Sequence, residues 1–282
     1  MNAINRQSTA VVRSGGQAGS SRIAIALAAC ALLLLSVLPA TALAQHALAA
    51  SDRPTIVLVH GAWAGPTGWD QVAAALQNDG YRTVAPTLDE ASIAGDAAIV
   101  AATLDGISGK KILVGHSYGG IVISNAAFGR SDVLGLVYAA AFVPDEGDSI
   151  LSLGEGFVQT DAVNHLIFDP FPFAFIDPAF FPQLFAQDLS PKKAAELNAG
   201  QRPASLAILG GPSGPVAWHD LPSWYAISGQ DRLIDPAEEL FMARRAGSTI
   251  VRFDDASHAG GFTHYAGRLV KLIEQAVAST AD

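Results

Sequence analysis

The residues with the clearest chemical potential are a serine and its neighbours in the middle of the chain, Gly115-His116-Ser117-Tyr118-Gly119. This G-x-S-x-G pattern follows a short apolar run and precedes a helix-compatible segment. A serine hydroxyl is a poor nucleophile, so an enzyme must hold it on a sharp turn, beside a base and beside donors for an oxyanion. Gly115 and Gly119 suit so tight a turn. The alternative is a glycine-rich connection that merely packs closely.

A nucleophilic serine needs a neutral imidazole to take its proton and a carboxylate to orient that imidazole. Both groups are expected on loops after sheet strands, where open α/β sheets bind their ligands. In the chain order serine, aspartate, histidine, Asp231 follows the strand pattern Ser223–Ser228, and His258 follows the pattern Thr249–Phe253. We therefore predict that Ser117, Asp231 and His258 form the catalytic set.

Other aspartates and histidines have simpler interpretations. Asp235 precedes Pro236, which suits a helix cap. Asp254 and Asp255 lie too close to His258 in the chain to orient its ring. The remaining histidines are predicted to serve backbone turns (His60 and His116), to lie in the region 144–222 (His165 and His219) or to start a helix (His264).

Strand and helix patterns alternate before residue 144 and after residue 222, which is typical of a parallel, doubly wound sheet. The first strand runs into the loop His60–Trp69, where backbone N–H groups can donate to an oxyanion and Gly61 permits close approach. The alternative for this loop is an ordinary turn. The predicted strands are Thr55–Val59, Arg82–Ala85, Ile112–Val114, Val133–Tyr138, Ser223–Ser228 and Thr249–Phe253. The predicted helices are Asp70–Asn78, Ile93–Leu104, Gly119–Ala127, Pro191–Ala199 after the cap Ser190, one that begins at Pro236, and Thr263–Ala278.

The region 144–222 breaks the alternation, with many Pro and Gly residues and a cluster of phenylalanines. A long excursion between sheet strands is typical of a lid or binding region. We expect its phenylalanines to pack the lid against the core and some of them to line an apolar pocket over the serine. The candidates for the substrate pocket are Trp63, Phe142, Phe168 and Phe173.

Composition narrows the class of protein. Of 282 residues, half are hydrophobic and 15% are charged, which fits a globular protein with a sizeable core. The net charge is −9 and there are no basic clusters, which disfavours nucleic acid or an anionic membrane as a partner. Cys30 is the single cysteine, so a cysteine-based metal site is not expected. Catalysis by the predicted serine needs no metal or organic cofactor, and none is predicted.

The N-terminal segment has the order of a secretory signal: three arginines and no acid in residues 1–22, an apolar run Ile23–Leu38, and a small-residue site ending at Ala44. We predict that residues 1–44 are a cleaved signal and that the mature chain, with a net charge of −12 without those arginines, is secreted or periplasmic. Retention of this segment as a membrane anchor is the alternative, and Cys30 allows a less favoured lipoprotein interpretation.

Several motifs together resemble one family. They are His60-Gly61-Ala62-Trp63 with Gly65 and Trp69, the serine turn with Gly120, Ala140-Ala141-Phe142-Val143-Pro144, Gly229-Gln230-Asp231-Arg232 and Ser257-His258. This set resembles the α/β-hydrolase superfamily, and more closely its small-lid branch of plant methyl esterases, hydroxynitrile lyases and bacterial esterases. The resemblance implies that residues 52–282 form a single α/β-hydrolase domain, a mostly parallel doubly wound sheet with a lid at about 144–222, inserted after the sixth-strand equivalent.

The resemblance also implies roles for individual residues. Ser117 would be the nucleophile, His258 the base and Asp231 its orienting acid, and the backbone N–H groups of Ala62 and Tyr118 would form the oxyanion hole. The lyases of this branch carry Thr and Lys where this chain has Gly61 and Ala259.

Without the lysine's cation, nothing evident stabilises a departing cyanide, so hydrolysis of a small carboxylic ester is favoured. A C–C lyase and a non-catalytic ligand-binding homologue remain alternatives. The acyl and alcohol groups of the substrate and the oligomeric state are left open.

Overall fold

The strand β1, Thr55–Val59, is apolar or β-branched throughout and completely buried, as a strand covered on both faces must be. A computed structural model describes residues 53–168 and 170–281. The central sheet also contains β2 (Thr83–Val84), β3 (Lys111–Ser117), β4 (Val133–Ala141), β8 (Ser223–Ser228) and β9 (Thr249–Phe253). These six strands are parallel and lie in the order β2-β1-β3-β4-β8-β9. The predicted parallel α/β sheet is confirmed.

The side chains of alternate strand residues point into two hydrophobic cores on opposite faces of the sheet. In β1, Ile56 and Leu58 face one core, whereas Val57 and Val59 face the other. The first core is covered by α1 (Asp70–Asn78) and α9 (Ala266–Ser279), and the second by α2 (Ile93–Asp105), α3 (Gly119–Ala126) and α8 (Pro236–Arg245). The carboxyl ends of β1, β3, β8 and β9 therefore meet at one edge of a rigid layer.

The lid enters after β4 and returns to the sheet at β8. It contains short elements only, including a small antiparallel sheet in the order β5-β6-β7. These elements are α4 (Ile150–Leu153), β5 (Leu166–Phe168), β6 (Phe173–Ile176), α5 (Phe181–Phe185), α6 (Pro191–Ala199), β7 (Ala204–Ser205) and α7 (Ala207–Gly210). Single 3₁₀ turns occur at Pro66–Trp69, Asp161–His165, Ala217–His219 and Gly260–Phe262.

Most predicted boundaries agree with the structure to within a few residues. Both predicted caps are present, because the side chain of Ser190 accepts from the Lys193 N–H and that of Asp235 accepts from the Ala237 N–H. The last helix was predicted too long at its start. It begins at Ala266 because the preceding 3₁₀ turn holds the chain, with Thr263 Oγ1 donating to the Ala259 carbonyl.

The predicted signal at residues 1–44 lies outside the described residues. Within residues 53–168 and 170–281, no helix is both long and apolar enough to cross a membrane.

Candidate active site

The candidate nucleophile stands where β3 ends and α3 begins. Ser117 has φ +53°, a left-handed conformation that non-glycine residues adopt only under strain. A Cβ at Gly115 would lie 2.6 Å from the Gly119 carbonyl oxygen, and one at Gly119 would lie 2.5 Å from the Val59 carbonyl oxygen. The turn therefore requires glycine on both sides of the serine, as the sequence indicated.

The structure brings Asp231 and His258 together although 27 residues separate them in sequence. His258 Nδ1 donates to Asp231 Oδ2 at 2.6 Å, and both side chains are buried. Asp231 Oδ1 accepts the N–H groups of Leu233 and Ile234, which fixes the orientation of the carboxylate. His258 Nε2 has no hydrogen-bond partner among the described residues. The ring is thus held in the tautomer whose free Nε2 can accept a proton.

His116, next to the serine, holds the histidine loop against the serine turn. Its Nε2 donates to the backbone carbonyl of His258 at 3.0 Å, and the two ring centroids are 4.5 Å apart. Burial, and then the nearby His258, lower the pKa of His116 well below its ordinary value, so the ring is neutral. The sequence predicted a backbone hydrogen bond for His116, and the structure identifies its acceptor on the base itself.

The loop after β1 passes directly over the serine. A Cβ at Gly61 would lie 2.7 Å from Ser117 Cβ, so only glycine allows this approach. Ala62 and Tyr118, the two residues predicted to supply oxyanion donors, line the same cavity as Ser117. His60 Nδ1 donates to the Gly61 carbonyl, and its Nε2 accepts from the Leu88 N–H. Burial lowers the pKa of His60 to about 4, and its role is structural.

Two buried acids behind this loop were missed from the sequence. Glu90 Oε2 accepts the Trp63 N–H at 2.9 Å, and Asp96 Oδ2 accepts the Tyr118 hydroxyl at 2.7 Å. Asp96 Oδ1 accepts the backbone N–H groups of Asp89 and Glu90, so the two acids connect both sides of the predicted oxyanion hole.

Burial raises the pKa of Glu90 to about 8 and also raises the pKa of Asp96. No local sequence signal marks Glu90, whose segment reads as an ordinary loop.

A third buried acid lies on the other side of the site. Glu239 in α8 accepts the Ser228 N–H through Oε2 at 3.1 Å. Burial, reinforced by the Asp231 carboxylate, raises the pKa of Glu239 well above its ordinary value.

A cavity of about 90 Å³ opens above the serine. Its apolar walls come from the loop after β1, α4, the segment 158–163 and the loop after Asp231. Of the four predicted pocket residues, Trp63 and Phe142 line this cavity, whereas Phe168 and Phe173 do not. In β6 the alternation buries Ala174 and Ile176 and leaves Phe173 only half-buried, while Phe168 in β5 is 49% exposed. The structure therefore places these two predicted pocket residues outside the lining of this cavity.

The other phenylalanines of the lid divide into two groups. Phe181 and Phe185 are buried, and their rings stack at 4.7 Å. Phe185 also packs edge-on against His258, with ring centroids 4.9 Å apart. Within the described residues, no cluster of His, Cys, Asp or Glu has the arrangement of a metal site.

Comparisons with known proteins identify a relative at the level of sequence. An esterase from a Nocardioides species, described as carbendazim hydrolyzing, is 40% identical over 114 residues. This match covers 34% of the chain and 46% of the relative, so it spans less than half of that protein's length.

Solved structures extend the comparison to the whole described domain. A pyrethroid hydrolase from Sphingobium faniae superposes with a TM-score of 0.69 at 23% identity, covering 81% of this chain and 98% of its own. An Arabidopsis methylesterase gives a TM-score of 0.66 at 19% identity, with coverages of 80% and 99%. The profile of the alpha/beta hydrolase family matches residues 56–272. The chain belongs to the alpha/beta hydrolase family.

Proposed function

We propose that the protein is a serine esterase that hydrolyses small carboxylic esters through an acyl-enzyme intermediate. The observation that carries this proposal is the buried His258–Asp231 pair, whose Nε2 has no partner among the described residues and whose loop is bonded to His116, the residue before the strained Ser117. These are the parts that acyl transfer requires: a nucleophile, a base and an acid that orients the base.

The proposed reaction has two halves. Ser117 Oγ attacks the ester carbonyl while His258 Nε2 takes the hydroxyl proton, and the Asp231 carboxylate stabilises the imidazolium. The N–H groups of Ala62 and Tyr118 donate to the oxyanion of the tetrahedral intermediate. His258 then gives the proton to the departing alcohol, and a water activated by the same ring releases the acid. In the part of the chain that the structure describes, Nε2 has no hydrogen-bond partner. Catalytic hydrogen bonds often tighten only in the substrate complex.

The apolar cavity walls favour esters with an apolar or aromatic part. The apolar side chains that line the cavity include Trp63, Phe142, Leu209, Leu233 and Ile234. The names of the similar proteins point in the same direction, because they describe a carbendazim hydrolyzing esterase, a pyrethroid hydrolase and a methylesterase. The substrate partner we propose is therefore a small-molecule ester.

Two observations favour hydrolysis over cyanohydrin cleavage. A threonine cannot replace Gly61 without displacing Ser117, because even a Cβ would lie 2.7 Å from the serine Cβ. Ala259 is completely buried, and the described residues that line the cavity include no lysine or arginine. Turnover of methyl esters but not of mandelonitrile is expected.

The decisive test is Ser117→Ala. We expect turnover of p-nitrophenyl butyrate to fall by roughly 10³ or more while the fold is kept. Ser131→Ala, at an exposed serine, is the matched control and should behave like the wild type. Labelling of the wild type, but not of Ser117→Ala, by a fluorophosphonate would separate an enzyme from an idle ligand-binding homologue. Unchanged turnover in Ser117→Ala would refute the serine mechanism.

We also propose that the mature enzyme acts outside the cytoplasm after loss of residues 1–44. The support is the charge and hydropathy order of that segment. N-terminal sequencing of the exported protein should give a first residue near Gln45, and recovery of the uncleaved chain would contradict cleavage.

A further inference from the structure

The cavity contains one acid that the proposed mechanism does not use. Glu238, in the first turn of α8, lines the cavity together with Ser117. Its side chain is almost completely buried, with 4% of the residue exposed. Its Oε1 atom is buried and has no hydrogen-bond partner among the described residues. A buried carboxyl oxygen without a partner is costly, so this arrangement calls for an explanation.

A helix-capping role would be the simplest explanation, but the contacts do not support it. The spacing Asp235-Pro236-Ala237-Glu238 is that of a capping box, in which the glutamate would bond back to the cap residue's N–H. In the structure the Asp235 side chain does cap, accepting the Ala237 N–H at 2.9 Å. Glu238 Oε1 is left without a bond and Glu238 lies against the cavity.

Two polar side chains of the lid also line the cavity, and both already form hydrogen bonds with the backbone. Gln159 Nε2 donates to the carbonyls of Gly154 and Phe157. Thr160 Oγ1 donates to the Arg232 carbonyl and accepts the Ala162 N–H. Glu238 is thus the lining acid with an acceptor atom left over for a ligand.

The electrostatic surroundings of Glu238 favour a hydrogen-bond donor as its partner. Burial, then the carboxylates of Asp235 and Asp231, raise the pKa of Glu238 to about 7. No lysine or arginine is among the described residues that line the cavity. A ligand N–H group would supply the missing partner and offset part of the cost of burying the carboxyl group.

We propose that Glu238 is a specificity-determining residue that accepts a hydrogen bond from an N–H group carried by an otherwise apolar ester substrate. The proposal rests on the proposed esterase function, since it names the substrate class of the same cavity. The apolar walls bind the hydrocarbon part, and Glu238 selects for a donor at one position within it. An ester with a methyl group at that position leaves the carboxyl oxygen unpaired and binds less well.

A pair of matched substrates tests this directly. Methyl 4-aminophenylacetate and methyl 4-methylphenylacetate differ only in an amino or a methyl group of similar size. The wild type should have the higher kcat/KM for the amino ester. In Glu238→Leu the ratio of the two kcat/KM values should fall by roughly tenfold or more, because the acceptor is gone. Glu155→Leu, an exposed glutamate next to the cavity residue Gly154, is the matched control and should keep the wild-type ratio.

The variant also has a folding readout. Replacing an unpaired buried carboxyl with an apolar side chain should leave Tm unchanged or raise it. If Glu238→Leu does not fold, Glu238→Met, whose unbranched chain follows the glutamate stem, takes its place in the same measurement.

Binding measurements separate this proposal from the esterase proposal. Calorimetry with Ser117→Ala and with the double variant Ser117→Ala/Glu238→Leu compares the affinities for the same two esters without requiring turnover. If removal of Glu238 abolishes the preference for the amino ester, Glu238 is supported as the acceptor for the substrate N–H group. This holds even if the wild type hydrolyses neither ester. The same ratio with and without Glu238, in kcat/KM and in affinity alike, overturns it and leaves the serine chemistry untouched.

Discussion

The sheet edge and the lid differ in how closely their atoms are packed. At the sheet edge, made by the ends of β1, β3, β8 and β9, backbone passes so close to backbone that side chains are excluded. A Cβ at Gly120 would collide with the Phe142 carbonyl, and one at Gly229 with the Asp254 carbonyl. The lid, by contrast, consists of helices of four to nine residues and strands of two to four residues, and leaves Val158 77% exposed.

The two regions contribute different parts of the site: the sheet edge holds the proposed reacting groups, and the lid forms much of the cavity wall. The proposed reacting groups lie on the sheet edge, where small displacements are resisted by close packing. Much of the cavity wall comes from the lid, where packing is looser and side chains can change with little effect on the sheet. Substitutions at the sheet edge should therefore lower turnover. Substitutions in the lid should instead lower stability or change substrate selectivity.

The largest effect is expected at the edge. Asp231→Asn should lower kcat for p-nitrophenyl butyrate by about 10⁴, because an amide no longer holds His258 in the required tautomer. Circular dichroism should show an intact fold, since an asparagine oxygen can still accept from Leu233 and Ile234. Asp254→Asn, at an 80% exposed side chain in the loop before His258, is the control. A comparable loss in Asp254→Asn, or none in Asp231→Asn, would contradict the assignment.

The next effect is expected where the lid is anchored to the edge. Phe185→Ala removes a ring that is 2% exposed and packs against both Phe181 and His258. Urea unfolding should show a loss of about 3–5 kcal/mol in the free energy of unfolding, typical of a buried phenylalanine. A loss below ~1 kcal/mol would mean that the lid closes the cavity left by the ring, and that the anchor is less rigid than the contacts indicate.

A smaller effect, dependent on pH, is expected where the two regions meet at Glu90. Its carbonyl accepts the lid's Ser205 N–H, and its carboxyl lies 3.7 Å from lid residue Arg202. Burial raises the pKa of Glu90 from 4.5 to about 8. At pH values between these two, the Glu90 carboxyl is ionised in the unfolded chain but keeps its proton in the folded chain. The free energy of unfolding should therefore fall as pH rises from 5 to 8.

Glu90→Gln cannot titrate and can still accept the Trp63 N–H, so its stability should fall less over the same range. The difference should be on the order of 2 kcal/mol, measured by thermal or urea unfolding at pH 5 and pH 8. Parallel pH profiles for variant and wild type would show that Glu90 is ionised in the folded protein.

The smallest effect is expected on the outer face of the lid. Phe168→Ala changes a ring that is 49% exposed and outside the cavity lining. We expect stability within about 0.5 kcal/mol of the wild type and kcat/KM for p-nitrophenyl esters within about twofold. A tenfold change in kcat/KM would return Phe168 to the pocket and weaken the distinction between the two regions.

The parallel sheet, the tight turn at Ser117 and the positions of Asp231 and His258 after strands could be predicted because their signals are local. The alternation of strand and helix patterns, the two glycines around Ser117, and the position of Asp231 and His258 just after strands all depend on neighbouring residues. The direction of the lid's aromatic rings could not be predicted in this way. A one-residue change in register reverses the face of a short strand, and the sequence leaves the register of β6 open.

What the sequence determined by itself was the order of strands and helices, the strained turn at Ser117 and the chain order of serine, aspartate and histidine. Steric limits on glycine and the periodicity of apolar residues act over a few residues, so they can be read locally. Only the tertiary structure decided that Glu90 and Asp96 bond to the loop after β1 and to Tyr118, that His116 bonds to the His258 carbonyl, and that Glu238 borders the cavity. These contacts join segments far apart in the chain, and their burial, which sets their chemistry, depends on how the whole domain packs.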